Sequence, residues 1–140
     1  MEYSDKLMKD YSDIIQSTVN MYPENYKVIC FDKYLDKIFP NLNAFIKADS
    51  VGEIRNILNQ KYGNDKICIK ENGSLQTLKP EELKYYQPTV GISGPKHTKI
   101  DEPVYVVNYD SKLILYNGYH RTLIHLLNNR LTIDAYVLTI

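Results

Sequence analysis

The chain has 140 residues, of which 44% are hydrophobic and 24% are charged, and its 17 basic and 17 acidic side chains give a formal net charge of zero. A chain of this length is one ordinary domain, 1–140, that buries enough apolar surface to fold without metals or disulfides. The composition excludes a disordered chain, and the balanced charge argues against a strongly basic coat for nucleic acid. No apolar run approaches the roughly 20 residues that span a bilayer, and the polar start indicates a cytoplasmic protein without a signal peptide.

The two cysteines, Cys30 and Cys68, lie in apolar segments and form neither a CxxC pair nor a cluster with histidine. Structural zinc sites are built from such clusters, so the sequence predicts no metal site. Apolar surroundings raise the pKa of a thiol and lower its reactivity. We therefore expect both cysteines to be buried structural thiols without a catalytic role.

The first 73 residues have a mainly helical pattern. Ser50 and Glu53 match a capping box, in which each side chain satisfies a free backbone amide of the other. This motif predicts a helix that begins at Ser50 and ends at Gly63. The other elements predicted here are a helix over 4–19, a strand over 26–31 and a short helix over 32–39.

From residue 65 the apolar spacing changes to that of strands, which predicts an α+β fold with a mixed sheet. Residues 65–70 and 74–78 flank Asn72-Gly73, a dipeptide typical of tight hairpin turns. Lys79-Pro80 predicts a short helical turn. The remaining elements are predicted to be a hairpin with its turn at Asp110-Ser111, a helix over 119–128 and a strand over 132–139. We expect strand 113–116 to be central in the sheet, because it contains almost no polar side chains.

The most informative segment is the one in which this strand ends at Asn117-Gly118 and the next helix begins. A helix start offers free N–H groups and a partial positive charge, which favour a bound anion. The glycine gives room for close approach to the backbone, and an arginine in the first turn can grip phosphate through two hydrogen bonds. The pattern predicts a phosphate site formed by Gly118, Tyr119, His120, Arg121 and Thr122. The alternative is that His120 is an ordinary core residue and Arg121 an ordinary solvated one.

The segment from Leu78 to Ile140 resembles the ParB/sulfiredoxin superfamily. The matching pieces are KPEELKYYQP, EPVYVVNYDSKLILYNGYHRTLIHLL and TIDAYVL, which carry the family's order of strand, G-x-H-R loop, helix and strand. The resemblance implies a ParB/sulfiredoxin-like core over 74–140, preceded by an N-terminal elaboration over 1–73. It also implies that the loop binds the phosphates of a nucleotide such as ATP or CTP with Mg²⁺. The resemblance further suggests Asn117, Lys96, His97 and Lys99 as helper residues.

Two departures from the family pattern bear on activity. Asn117 stands where the family often has an acid, so a carboxylate that assists metal or proton chemistry is missing. Tyr119 stands at the position of the sulfiredoxin cysteine. Since a phenol cannot perform that sulfur chemistry, the sequence argues against sulfiredoxin activity.

Three functions remain open at this point. The first is a small nucleotide-dependent enzyme, either an ATPase, a CTPase or a kinase-like phosphotransferase. The second is a catalytically degenerate relative that binds a protein partner, as a modulator or inhibitor encoded by a phage, a plasmid or another mobile element. The third is a nucleic-acid-processing domain, which the zero net charge disfavours because affinity for nucleic acid depends on neutralising phosphates.

Overall fold

The computed structural model of the protein describes residues 28–40, 44–47, 49–91, 102–127 and 130–140. The helix predicted over 4–19 lies outside these residues. Along the described chain the elements are β1 (Val28–Cys30), α1 (Phe31–Ile38), α2 (Asp49–Tyr62), α3 (Ile67–Asn72), β2 (Ser74–Leu78), a 3₁₀ turn (Pro80–Glu82), β3 (Leu83–Lys84), β4 (Thr89–Gly91), β5 (Val104–Tyr109), β6 (Lys112–Asn117), α4 (Tyr119–Leu127) and β7 (Ile133–Thr139).

Five of the strands form one mixed sheet in the order β2-β7-β5-β6-β3. β7 runs parallel to β5 and β3 runs parallel to β6, whereas the other neighbouring pairs are antiparallel. The fold is α+β, as the sequence predicted. The strand predicted over 113–116 is an interior strand of the sheet, β6, with β5 on one side and the short outer strand β3 on the other. The middle position belongs to β5.

Apolar side chains fill both faces of this sheet, because successive residues of a strand point to opposite sides. On one face, Val104 and Val106 pack in a cluster with residues of α1 and α4. On the other face, Val107 and Ile114 pack in a second cluster with residues of α2 and α3. The sheet is therefore enclosed between two helical layers, and the segment from β6 to α4 crosses from the sheet into one of them.

The hairpin of β5 and β6 has the turn that the sequence predicted. Asp110 and Ser111 both have positive φ angles, 52° and 61°, which are characteristic of the two-residue turns that suit the twist of paired strands. Tyr109 lies directly opposite Lys112. The predicted turn at Pro80, the helix that begins at residue 119 and the C-terminal strand are also present.

The hairpin predicted around Asn72-Gly73 is absent, since α3 occupies residues 67–72. The side-chain oxygen of Asn64 accepts a hydrogen bond from the Cys68 amide at 2.6 Å and so supports the start of the helix. The helix buries Cys68 and Ile69 against the sheet. Gly73 then packs tightly on the neighbouring strand, because a Cβ atom there would lie 2.8 Å from the Val137 carbonyl oxygen.

Two element starts also differ from prediction. α2 begins at Asp49, so Ser50 lies inside the first turn and not at the capping position. Strand β1 ends at Cys30, because Phe31 is the first residue of α1 and is fully buried in the core. No helix within the described ranges is long and apolar enough to cross a membrane.

Candidate functional site

The segment predicted to bind phosphate is the junction between β6 and α4. β6 ends at Asn117, Gly118 has a φ of +112°, and α4 begins at Tyr119. The Thr122 amide donates to the Gly118 carbonyl at 2.9 Å, which is the first hydrogen bond of the helix. The Thr122 amide is therefore already used within the helix, and the amides of Tyr119 and Arg121 precede it in the first turn.

Gly118 is required here by packing. A Cβ atom at this position would lie 2.6 Å from Cγ1 of Val104, on the neighbouring strand β5. The positive φ angle would also strain any other residue type. The side of Gly118 that the sequence suggested as room for a ligand is thus filled by a valine side chain.

Tyr119 faces the core and not the surface. Its side chain is only 5% exposed, and its ring contacts Phe31, Tyr85 and Tyr86 edge-on. Its hydroxyl oxygen accepts hydrogen bonds from the amides of Tyr86 at 2.8 Å and Gln87 at 3.3 Å. Burial raises the pKa of the phenol well above its ordinary value, so Tyr119 stays neutral and holds the start of α4 against the chain after β3.

Arg121 has the most distinctive environment at this junction. Its side chain is 13% exposed, and Nη1 donates to the carbonyls of Pro103 at 2.7 Å and Glu102 at 3.3 Å. The Glu102 carboxylate lies 3.9 Å from the same nitrogen and is half exposed. Burial lowers the pKa of the Arg121 guanidinium, since two neutral carbonyls and a distant carboxylate replace only part of the lost hydration.

The other predicted residues take different positions. His120 and Asn117 are both half-buried, and Asn117 lies opposite Tyr105 in the hairpin. Thr122 is fully buried, and its hydroxyl has no hydrogen-bond partner among the described residues. The three suggested helpers, Lys96, His97 and Lys99, lie outside the described residues.

A second polar cluster was not apparent from the sequence. The Tyr116 hydroxyl donates to Oδ2 of Asp65 at 3.1 Å, and Nε of Arg55 lies 3.7 Å from the same oxygen. These residues come from β6, the loop before α3 and the surface of α2, so no local pattern brings them together. The cluster joins α2 to the sheet, and burial is the main reason why the pKa of Tyr116 rises to about 12.

Three clefts lined by described residues lie away from the β6–α4 junction. One, of about 480 Å³, lies between the start of α2 and the turn of the β5–β6 hairpin, where Lys47, Lys84 and Lys112 alternate with Glu53 and Asp110. None of these three clefts includes a residue from 117–122. Within the described ranges, no group of three or more His, Cys, Asp or Glu side chains is placed to hold a metal ion.

No protein-family model, no curated protein and no solved structure matches this chain. The resemblance to the ParB/sulfiredoxin superfamily therefore stays a prediction.

Proposed function

We propose that this domain binds a phosphate-bearing ligand, and most specifically a nucleotide, at the start of α4. Arg121 is the main cationic group in this proposal, and the first-turn amide of Tyr119 is the accompanying donor. The observation that carries the proposal is the environment of Arg121. Its side chain is largely buried, and its guanidinium donates to the carbonyls of Glu102 and Pro103.

The positive charge of Arg121 is only partly compensated by its neighbours. A largely buried cation is costly unless it is paired, and the Glu102 carboxylate lies at 3.9 Å, beyond a good charge-assisted hydrogen bond. The positive end of the α4 dipole adds to the potential at the same place. A phosphate group would supply the missing negative charge, and the two backbone carbonyls would hold the guanidinium ready for it.

The ligand class implied by the resemblance is ATP or CTP with Mg²⁺, and the corresponding reactions are nucleotide hydrolysis and phosphoryl transfer. Tyr119 is unsuited to act as a general base for either reaction, because its hydroxyl is buried and accepts hydrogen bonds from two backbone amides. The proposal is therefore for binding, and turnover is a separate measurement.

The test is a thermal-shift and calorimetric titration with ATP, CTP and inorganic triphosphate, each with and without Mg²⁺. A ligand that binds the folded state raises the melting temperature. We expect binding in about the micromolar to millimolar range, loss of it in Arg121→Ala, and its retention in the control Arg130→Ala, which removes an exposed arginine from beyond the other end of α4. The absence of any effect of all three ligands on the folded native chain would contradict the proposal.

A second candidate is the catalytically inactive, protein-binding domain. The observation that favours it is the dense packing at Gly118 and Tyr119, where Val104 and an aromatic cluster occupy space that a ligand would need. Under this alternative Arg121 has a structural role only, in which its hydrogen bonds join residues 102–103 to α4. Arg121→Ala would then lower the melting temperature, and no phosphate-bearing ligand would change it in either protein.

The nucleic-acid-processing alternative is the weakest of the three. The net charge of zero and the three arginines of the chain give little general attraction for a polyanion. An electrophoretic mobility assay with single- and double-stranded DNA at low salt tests it directly, because non-specific binding is strongest there.

A further inference from the structure

The two edges of the five-stranded sheet are not alike. At one edge, Tyr85, the residue after β3, is paired with the segment 44–46: the Tyr85 amide donates to the Ala44 carbonyl at 2.8 Å, and the Ile46 amide donates to the Tyr85 carbonyl at 2.9 Å. At the other edge, β2 pairs with β7 on one side, and no described residue pairs with its other side.

β2 itself lacks three features that commonly keep an edge strand from pairing. Natural edge strands are protected by charged side chains, proline or bulges, whereas β2 reads SLQTL and has none of these. Its register with β7 is regular over all five residues. Ser74, Leu75, Gln76 and Thr77 are exposed, and Leu75 is 61% exposed although it is a large apolar side chain.

We infer that β2 is a dimerisation strand, which pairs antiparallel with β2 of a second copy of this chain. Unpaired backbone amides and carbonyls along a strand are satisfied by another strand, so the chemistry of the edge specifies an extended partner. The sequence of β2 specifies the partner further, because its five uncharged residues make a self-complementary pair about a two-fold axis at Gln76.

The side chains match in that register. Gln76 lies on the axis, Leu75 lies opposite Thr77 of the other copy, and Ser74 lies opposite Leu78 of the other copy. Directly opposed residues of antiparallel strands lie on the same face of a sheet. The exposed Leu75 therefore covers the methyl group of Thr77, whose hydroxyl already donates to Asp134 at 2.9 Å. The result is one continuous sheet that keeps the helical layers of both copies on its two faces.

The first measurement is the mass of the native full-length chain by sedimentation equilibrium across the micromolar range. We expect a reversible monomer–dimer equilibrium and a concentration-dependent slowing of hydrogen exchange at the β2 amides. A chain that stays monomeric throughout this range would overturn the inference. The inference is independent of the nucleotide proposal, since β2 and the β6–α4 junction share no residue.

Charge-swap variants test the register. In Leu75→Lys/Thr77→Lys, and likewise in Leu75→Glu/Thr77→Glu, like charges face each other directly across the two-fold axis. We expect each variant alone to dimerise about tenfold more weakly or worse, and the mixture of the two to form a heterodimer. Failure of the mixture to associate, or undiminished self-association of either variant, would reject this pairing.

A control separates the strand edge from general surface stickiness. Ile67→Lys places a charge at an apolar residue that is 60% exposed and lies on α3, outside β2. It should dimerise as the native chain does. If either double variant is misfolded by circular dichroism, the single variant Leu75→Lys takes its place, because Leu75 is exposed and its substitution leaves the Thr77–Asp134 hydrogen bond intact. Undiminished dimerisation of folded Leu75→Lys counts against the inference.

Discussion

The side chain of Val104 occupies the place where a side chain of Gly118 would lie. The distance from a Cβ atom at position 118 to Cγ1 of Val104 would be 2.6 Å, and the φ angle of Gly118 is +112°. Because Gly118 has no side chain, the residue before α4 packs directly against Val104, the first residue of β5. This contact fixes the geometry of the segment that carries Arg121.

The first prediction concerns this contact. Gly118→Ala should lower the free energy of unfolding by about 2–6 kcal/mol, because it adds backbone strain of order 1–3 kcal/mol to an overpacking cost of similar size. Chemical denaturation followed by circular dichroism measures the change.

A second glycine and a double variant provide controls. Gly63 also has a positive φ, +77°, but a Cβ atom there has no neighbour within 4 Å, so Gly63→Ala measures the backbone strain alone. In Gly118→Ala/Val104→Ala the two changes should cost less than the sum of their separate effects, since the smaller side chain makes room. If Gly118→Ala lowers the free energy of unfolding by no more than Gly63→Ala does, the contact with Val104 adds no cost, which would contradict the prediction.

The second prediction concerns the hydroxyl of Tyr119. Tyr119→Phe keeps the ring in the aromatic cluster but leaves the amides of Tyr86 and Gln87 without their acceptor. We expect a loss of about 1–3 kcal/mol in the free energy of unfolding, the cost of an unsatisfied buried polar group. Tyr85→Phe is the comparison, because it removes a donor to the Pro80 carbonyl and leaves no amide unpaired. Its loss should be smaller, and the reverse order would contradict the role assigned to Tyr119.

The third prediction is a loss of stability in alkali. Burial raises the pKa of Tyr116 from its ordinary value of 10.0 to about 12 in the folded protein. Folding therefore favours the neutral phenol. The contribution of Tyr116 to the free energy of unfolding is complete below pH 10 and is lost as the pH rises from about 10 to about 12. The pKa values of Tyr85 and Tyr119 are raised by burial as well, which adds to the fall in the same direction.

Urea denaturation between neutral pH and pH 12 measures this fall, and phenolate absorbance follows the titration itself. In Tyr116→Phe the free energy of unfolding should decline less steeply over the same interval, although its value at neutral pH is reduced by the lost hydrogen bond to Asp65. An equal slope in the two proteins would mean that Tyr116 ionises normally.

The fourth prediction separates the two cysteines. Cys68 is fully buried on α3, where its thiol donates to the Asn64 carbonyl at 3.3 Å and burial raises its pKa. Cys30, which was expected to be buried as well, is only half-buried at the end of β1. A thiol reagent should modify Cys30 in the native protein and reach Cys68 only on unfolding. Cys68→Ala should lower the free energy of unfolding by about 1–3 kcal/mol, and ligand binding in the folded variant should be unchanged.

The sequence alone was sufficient where one segment carries a strong local pattern. The β5–β6 hairpin, helix α4 and strand β7 each have an apolar spacing and an end signal within a few residues, so their formation depends little on distant parts of the chain. The break at Gly118 between strand and helix was predicted on the same basis. The loop of the candidate site could therefore be located, together with Arg121 in its first helical turn.

Tertiary structure decided what those local patterns left open. The run of Ile67, Cys68 and Ile69 fits a strand or a short helix equally well, and it became helical because two of its side chains cover the face formed by Val107 and Leu138, which lie about forty and seventy residues further along the chain. The roles of Gly118 and Tyr119 were decided in the same way, by the contacts with Val104 and the Tyr86 amide. Side-chain spacing predicts which face of an element is apolar, but the partner for that face comes from elsewhere in the sequence, and only the packed structure shows whether it leaves room for a ligand.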